Sequence, residues 1–415
     1  MSPALFGRFL WLLSSVPMLA NDWPQFRGAT QQGQADVRTA PGSWSSTNNV
    51  AWKVAIPGTG WSSPVLQGGR IYLTTAVGTN GGPNSLRALG LDARDGRVLW
   101  NREVFAEGAS TPAIHGKNSH ASPTPVVEGD HLFVHFGHEG TARLGIDGTV
   151  QWRQTGLRYS AGSGGACSPV RVDDLLVFSA DGRENPFVVG LDAATGNIRW
   201  KTPRDVAVKK TFSYSTPIVI EVKGKRQIVA PGSGAVVAYD PRDGHEIWRV
   251  RYGEGYSVVP RPVHANGLVY LSSGFDRPVT FAIRPDGTGD VTDTHVVWKN
   301  PRGAPNTPSL LAVGDSLYAV NDAGIATCMD ARTGEVHWSE RLGGDFSSSP
   351  VHAAGRIYFQ NEAGTGYVVE AGKTFRLLAT NPLGARTLAS YAVDEGTFYI
   401  RTESDLFRIG MASTR

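Results

Sequence analysis

Apolar residues in this chain come in short bursts, not in long amphipathic stretches. Runs such as GRIYLTT (69–75), DHLFVHFG (130–137), DLLVFSA (174–180), GLVYLSS (267–273), DSLYAV (315–320), GRIYFQN (355–361) and GTFYIRT (396–402) are rich in β-branched and aromatic residues. That length and content, with Gly, Asp or Asn at the edges, predict strands closed by tight turns. A second, shorter apolar piece precedes the runs and begins with a small or polar residue and a proline. It reads SSPVL (62–66), PTPVV (123–127), CSPVR (167–171), STPIV (215–219), PRPVH (260–264), NTPSL (306–310) and SSSPV (347–351), and LASYAVD (388–394) is a version lacking the proline.

A third mark follows the runs. LDARDGRVLW (91–100) returns as LDAATGNIRW (191–200), YDPRDGHEIW (239–248) and MDARTGEVHW (329–338), so that an Asp, a Gly and a Trp recur in one frame. GIDGTVQW (145–152) has a shortened turn, and AIRPDGTGDVTDTHVVW (282–298) a lengthened one. The tryptophans fall at 52, 100, 152, 200, 248, 298 and 338, and Leu378 stands where an eighth would fall. Each unit offers four short strands in about 45 residues, the pattern of a propeller blade that buries its faces only by packing on its neighbours.

Eight marked positions predict an all-β, eight-bladed propeller of four-stranded antiparallel blades over residues 48–411, after an N-terminal extension at 21–47. The strand in NVAWKVAI (49–56) precedes any complete unit, whereas the unit after Arg386 has three strands and no fourth. Pairing the two completes the last blade and removes an open edge. The Asp-to-Gly stretch reads as the hairpin before the outer strand, with Gly96, Gly196, Gly244 and Gly334 at positive φ. Each Trp is then placed to fill the gap between adjacent blades.

Composition agrees, with 50 Gly, 25 Pro and 11 Trp against 4 Met. The net charge of +3 is dispersed, which argues against a nucleic-acid partner. Residues 1–20, with Arg8, an apolar run from Phe9 and Ala20 before a polar segment, read as a secretory signal peptide too short to span a bilayer. No Cys follows that run to carry a lipid. The expectation is a periplasmic or secreted chain that does not span the membrane.

The D-x-x-[TD]-G-x-x-x-W phrase with an SPV-type strand upstream resembles the pyrroloquinoline quinone (PQQ) repeat of quinoprotein alcohol dehydrogenases and BamB-type assembly lipoproteins. DWPQFRG (22–28) is similar to the start of exported bacterial proteins of this kind. The resemblance implies the propeller fold. For the dehydrogenases it also implies PQQ beneath two adjacent disulfide-linked cysteines, beside calcium and a catalytic Asp. Here Cys167 and Cys328 are far apart, so the quinone-site pair is absent and the reading is a binding or scaffolding protein without redox chemistry of its own. A PQQ-dependent alcohol or sugar dehydrogenase with an atypical site, and a metal-assisted enzyme, are the alternatives.

Loops on one propeller face carry the candidate chemistry. The longest, 105–125, brings His115, Lys117 and His120, and the following hairpin adds His131, His135, His138 and Glu139. His115, His120, His135, His138 and Glu139 are the candidate ligands of a divalent metal, against structural hydrogen bonding as the alternative. Trp61, Arg158, Lys210, Tyr214, Tyr256, Arg261, Asn306 and Arg386 are the candidates for stacking on and charge-pairing with a small-molecule or protein ligand in the funnel. No phosphate-binding loop or nucleophile elbow is found.

Overall fold

The computed structural model describes residues 22–410 apart from 80–81, 109–110 and 112–113. The expected signal peptide lies outside the described residues. Eight sheets follow one another in chain order, each running from a short inner strand to a long outer one. Blades 1 to 8 begin at the inner strands Val65–Gln67, Val126–Glu128, Val170–Val172, Ile218–Val222, Val263–Ala265, Leu311–Val313, Val351–Ala353 and Ala392–Asp394. The ring closes as the pairing rule requires: Val50–Ala55 runs antiparallel to Asp405–Ile409 and is the outer strand of blade 8.

The repeated phrase works between blades. In each of the four clear copies the Asp carboxylate accepts the N–H two residues on, as Asp92 does from Arg94 and Asp330 from Arg332, which fixes the turn. The Gly that follows is at positive φ, +74° at Gly96 and +76° at Gly196. It faces the indole of the preceding blade: a Cβ on Gly196 would lie 2.7 Å from Trp152, and one on Gly244 2.4 Å from Trp200. The same indoles donate into that turn, Trp152 to Ala193 O at 3.1 Å and Trp200 to Pro241 O at 2.9 Å. A turn and a tryptophan about 40 residues apart are thus one joint.

Two irregular seams show why the frame varies. The lengthened turn of blade 5 supplies a two-residue strand, Gly289–Asp290, that adds to the outer edge of blade 4 in parallel. It buries Trp248 completely, and this indole turns to Gln227 Oε1 at 2.8 Å. At the seam of blades 7 and 8, where Leu378 replaces the repeat tryptophan, Trp44 of the N-terminal extension is buried against Tyr358, Tyr391 and Phe398.

The rest of the extension closes the central channel. Trp23 exchanges backbone hydrogen bonds with Leu66, Pro24 O accepts from Val127, and Gly33 O accepts from His352. Arg27 is fully buried and donates to Leu310 O at 2.7 Å and Gln32 O at 2.8 Å. Residues 22–35 therefore tie inner strands from opposite sides of the ring, and Phe26 faces the space above them.

Candidate functional site

Above that plug lies a cavity of about 520 Å³. Its walls are the loops leading into the inner strands, with Phe275 and Asp322 from hairpins on the same face. The floor comes from one residue per blade, placed two before the inner strand. These residues form a hydrogen-bonded belt in which a backbone N–H donates to the hydroxyl of the next blade. Ser63 donates to Thr124, Thr124 to Ser168, and Ser168 to Thr216, at 2.9–3.0 Å. Arg261 donates to Ser309, Ser309 to Ser349 and Ser349 to Ser390 at 2.9–3.0 Å, and Ser390 returns to Ser63 at 3.2 Å. The belt positions are buried.

Seven of the eight positions are Ser or Thr, and the eighth is Arg261. Its guanidinium leaves the floor and turns to the plug, donating to Phe26 O, to Pro217 O at 3.0 Å and to Gln31 Oε1 at 2.7 Å. Arg27 and Arg261 are fully buried and have no carboxylate partner among the described residues. Burial pushes both guanidinium groups down to about 9, and the nearby Arg27 charge adds to the effect on Arg261.

Aromatic side chains stand among the hydroxyl groups of the lining. They are Trp61, Tyr214, Tyr256, Phe275 and Phe26. Of the residues expected at the funnel, Trp61, Tyr214, Tyr256 and Asn306 face the cavity. Two more sit behind aromatic rings at the rim. Lys210 Nζ is 4.0 Å from the Tyr256 ring centroid and 2.8 Å from its hydroxyl, and the Arg386 guanidinium is 5.3 Å from the Trp61 ring. Arg158 lies away from the cavity and reaches His138 O, and Arg261 is committed to the plug. Sequence reasoning missed the hydroxyl belt, although all of its members but Ser390 stand beside the prolines of the SPV-type pieces.

The long loop before blade 2 reaches across the mouth. Asn118 donates to Ser163 O at 2.8 Å, Lys117 pairs with Glu362 of blade 7 at 2.7 Å, and Arg386 donates to Gly116 O at 2.9 Å. His115 lines the main cavity beside it. His120, His138 and Glu139 instead surround a separate small cavity with Gly164 and Gly165.

In that small cavity His120 Nδ1 is 2.7 Å from Glu107, and His138 Nε2 is 3.0 Å from Glu139. Burial lowers the His138 pKa. Burial opposes the charge of Glu139, but the Thr111 hydroxyl and the Gly108 N–H hold its pKa below the usual value. His135 is elsewhere, stacked 4.3 Å from the Phe178 ring and bonded to Thr141 Oγ1 at 2.8 Å, and burial pushes it down to about 3. The five proposed metal ligands thus occupy three places. The grouping of three donors within 4.8 Å of one another among the described residues is Asp240, Asp243 and His245, in an exposed blade 4 turn.

The quinone and calcium implied by the resemblance do not fit these residues. Cys167 and Cys328 lie buried as free thiols in different blades. Calcium takes six to eight oxygen ligands, typically with several carboxylates. Asp322 lines the cavity, and its oxygens already accept from Asn306 N, Thr307 N and Thr307 Oγ1.

No helix among the described residues is long and apolar enough to cross a membrane. Comparison with known proteins places the fold. The BamB crystal structure from Moraxella catarrhalis superposes with a TM-score of 0.63 at 11% identity, covering 88% of this chain and 98% of that one. A europium-containing methanol dehydrogenase matches at 0.68 and 11%, covering 95% and 98%. Quinohemoprotein alcohol dehydrogenase ADHIIG from Pseudomonas putida HK5 matches at 0.66 and 11%, covering 95% and 81%. No curated protein matches in sequence. The family model described as outer membrane protein assembly factor BamB matches residues 42–179, 185–312 and 288–410, so the chain belongs to that family of PQQ-repeat propellers.

Proposed function

We propose that this chain is an exported binding propeller that seats a small ligand in its funnel and performs no redox chemistry of its own. One observation carries the reading: the channel is a blind, aromatic-walled cavity of about 520 Å³, within the range of small-molecule sites. Its plug and belt are fixed by hydrogen bonds from nearly every blade, so the cavity is preformed and little ordering opposes binding. The donor set supports binding over quinone chemistry, because the groups that would hold the quinone and calcium are missing or already engaged.

Adding PQQ and calcium to the purified protein tests the second half of this reading. The cofactor's absorbance and dye reduction are the readouts. The binding reading expects no dye reduction and no turnover with alcohols or sugars. Stoichiometric uptake with turnover would establish the dehydrogenase alternative.

A further inference from the structure

We propose that the hydroxyl belt seats an oxyanion, so that the funnel's ligand carries a carboxylate at its buried end and an apolar or aromatic body against the wall. The proposal rests on the funnel being a binding site. It is carried by the state of the belt oxygens. Each one accepts a backbone N–H from the neighbouring blade, and none of their own protons has a protein acceptor among the described residues. A hydroxyl that accepts one N–H keeps a second lone pair, but its rotatable O–H is left without a partner and can turn toward a ligand. The floor is therefore a ring of donors, and an acceptor-only group complements it.

Charge behind the floor points the same way. The Arg261 guanidinium lies 5.9 Å from the ring of Phe26, which forms part of the cavity surface. Arg27, adjacent in sequence to Phe26, is buried beside it without a carboxylate. Two uncompensated cations in a low-dielectric plug leave a positive field at the floor, and an anion there gains more than it would in water. One lysine and one carboxylate also line the space. Lys117 is paired with Glu362 at the mouth, whereas Asp322, held by the uncharged donors of Asn306 and Thr307, keeps its negative charge on the wall, so the seat for an anion is the floor beside Arg261 and not that wall. Since Arg261 replaces the eighth hydroxyl, the arc between Thr216 and Ser309 is the place where donors and charge coincide.

The aromatic wall selects the remainder of the ligand. Trp61, Tyr214 and Tyr256 offer faces and edges for stacking above the donors. A flat carboxylate such as benzoate has both parts, benzamide has the same body without the charge, and sulfate has the oxyanion without the body.

Isothermal titration of the full chain with these three probes tests the proposal. Benzoate is expected to bind at least ten-fold more tightly than benzamide, and sulfate to compete with it. The Thr216→Val/Ser309→Ala variant is expected to lose most of that preference, and the wild-type comparison stands even if the variant folds poorly. Benzamide binding as tightly as benzoate would overturn the oxyanion seat and leave the funnel reading intact. Failure of benzoate and sulfate to bind would also overturn it, while the funnel reading depends separately on whether filling the cavity abolishes capture of any ligand.

Discussion

The indole of Trp200 donates to Pro241 O at 2.9 Å across the seam of blades 3 and 4, and its ring covers Gly244. The repeat thus encodes joints between blades as well as the blades themselves. Trp200→Ala is expected to destabilise the protein by about 3–5 kcal/mol, as for other large-to-small aromatic changes in packed cores. Gly244→Ala is expected to cost more than about 1 kcal/mol, since the residue has φ +72° and a Cβ there would meet the indole. Guanidinium unfolding midpoints give both values. Unchanged stability with altered ligand binding would make the tryptophans ligand contacts instead.

Ring closure gives a second expectation. Removing residues 48–56 takes away the outer strand of blade 8 and the Trp52 bond to Ala93 O of blade 1. The truncated chain should melt less cooperatively or aggregate. An unchanged calorimetric transition would refute the structural role of that strand.

Those two features were legible because each is a phrase repeated in sequence. Asp92, Gly96 and Trp100 recur at fixed spacing, and the three-stranded last unit announces its missing partner. The belt was not legible in the same way. It draws one hydroxyl from each of seven lead-ins, 40 or more residues apart, and its sense depends on which oxygen accepts from which neighbouring N–H. Arg261 illustrates the limit: its position among funnel loops is correct, but its direction is set by Phe26 and Gln31, more than 200 residues away. The histidines are similar, since closeness in sequence put His135 on a buried strand position and His115 across the funnel mouth.

The plug supplies a third expectation. Arg27→Ala leaves the carbonyls of Leu310 and Pro350 without their donor and is expected to cost roughly 3 kcal/mol. Amide hydrogen exchange should rise at Gly33, whose N–H donates to Arg27 O, and at His352, whose N–H donates to Gly33 O. Protection equal to the wild type would show that the other plug contacts suffice.

A fourth concerns pH. Burial holds His135 at about 3 in the folded chain, whereas an unfolded histidine titrates near 6.5. Between these values the unfolded state binds more protons, so this group makes stability fall as pH drops below about 6.5, by up to about 1.4 kcal/mol per unit. His135→Leu should flatten the decline between pH 6.5 and 4.5, even though losing the Thr141 contact lowers stability overall. Unfolding midpoints at each pH give the slope, and parallel slopes in the two proteins would contradict the assignment.

The central claim is that the funnel is a binding site, and filling it is the most direct test. Ala166 lines the cavity, and no side-chain bond depends on it. Native mass spectrometry of wild type and Ala166→Trp, each incubated with a mixture of small exported metabolites and aromatic acids, compares capture with the cavity open and filled. The account predicts one ligand per wild-type chain and none on the variant, with the two proteins melting alike. Equal capture by both would place the binding site elsewhere and contradict the claim.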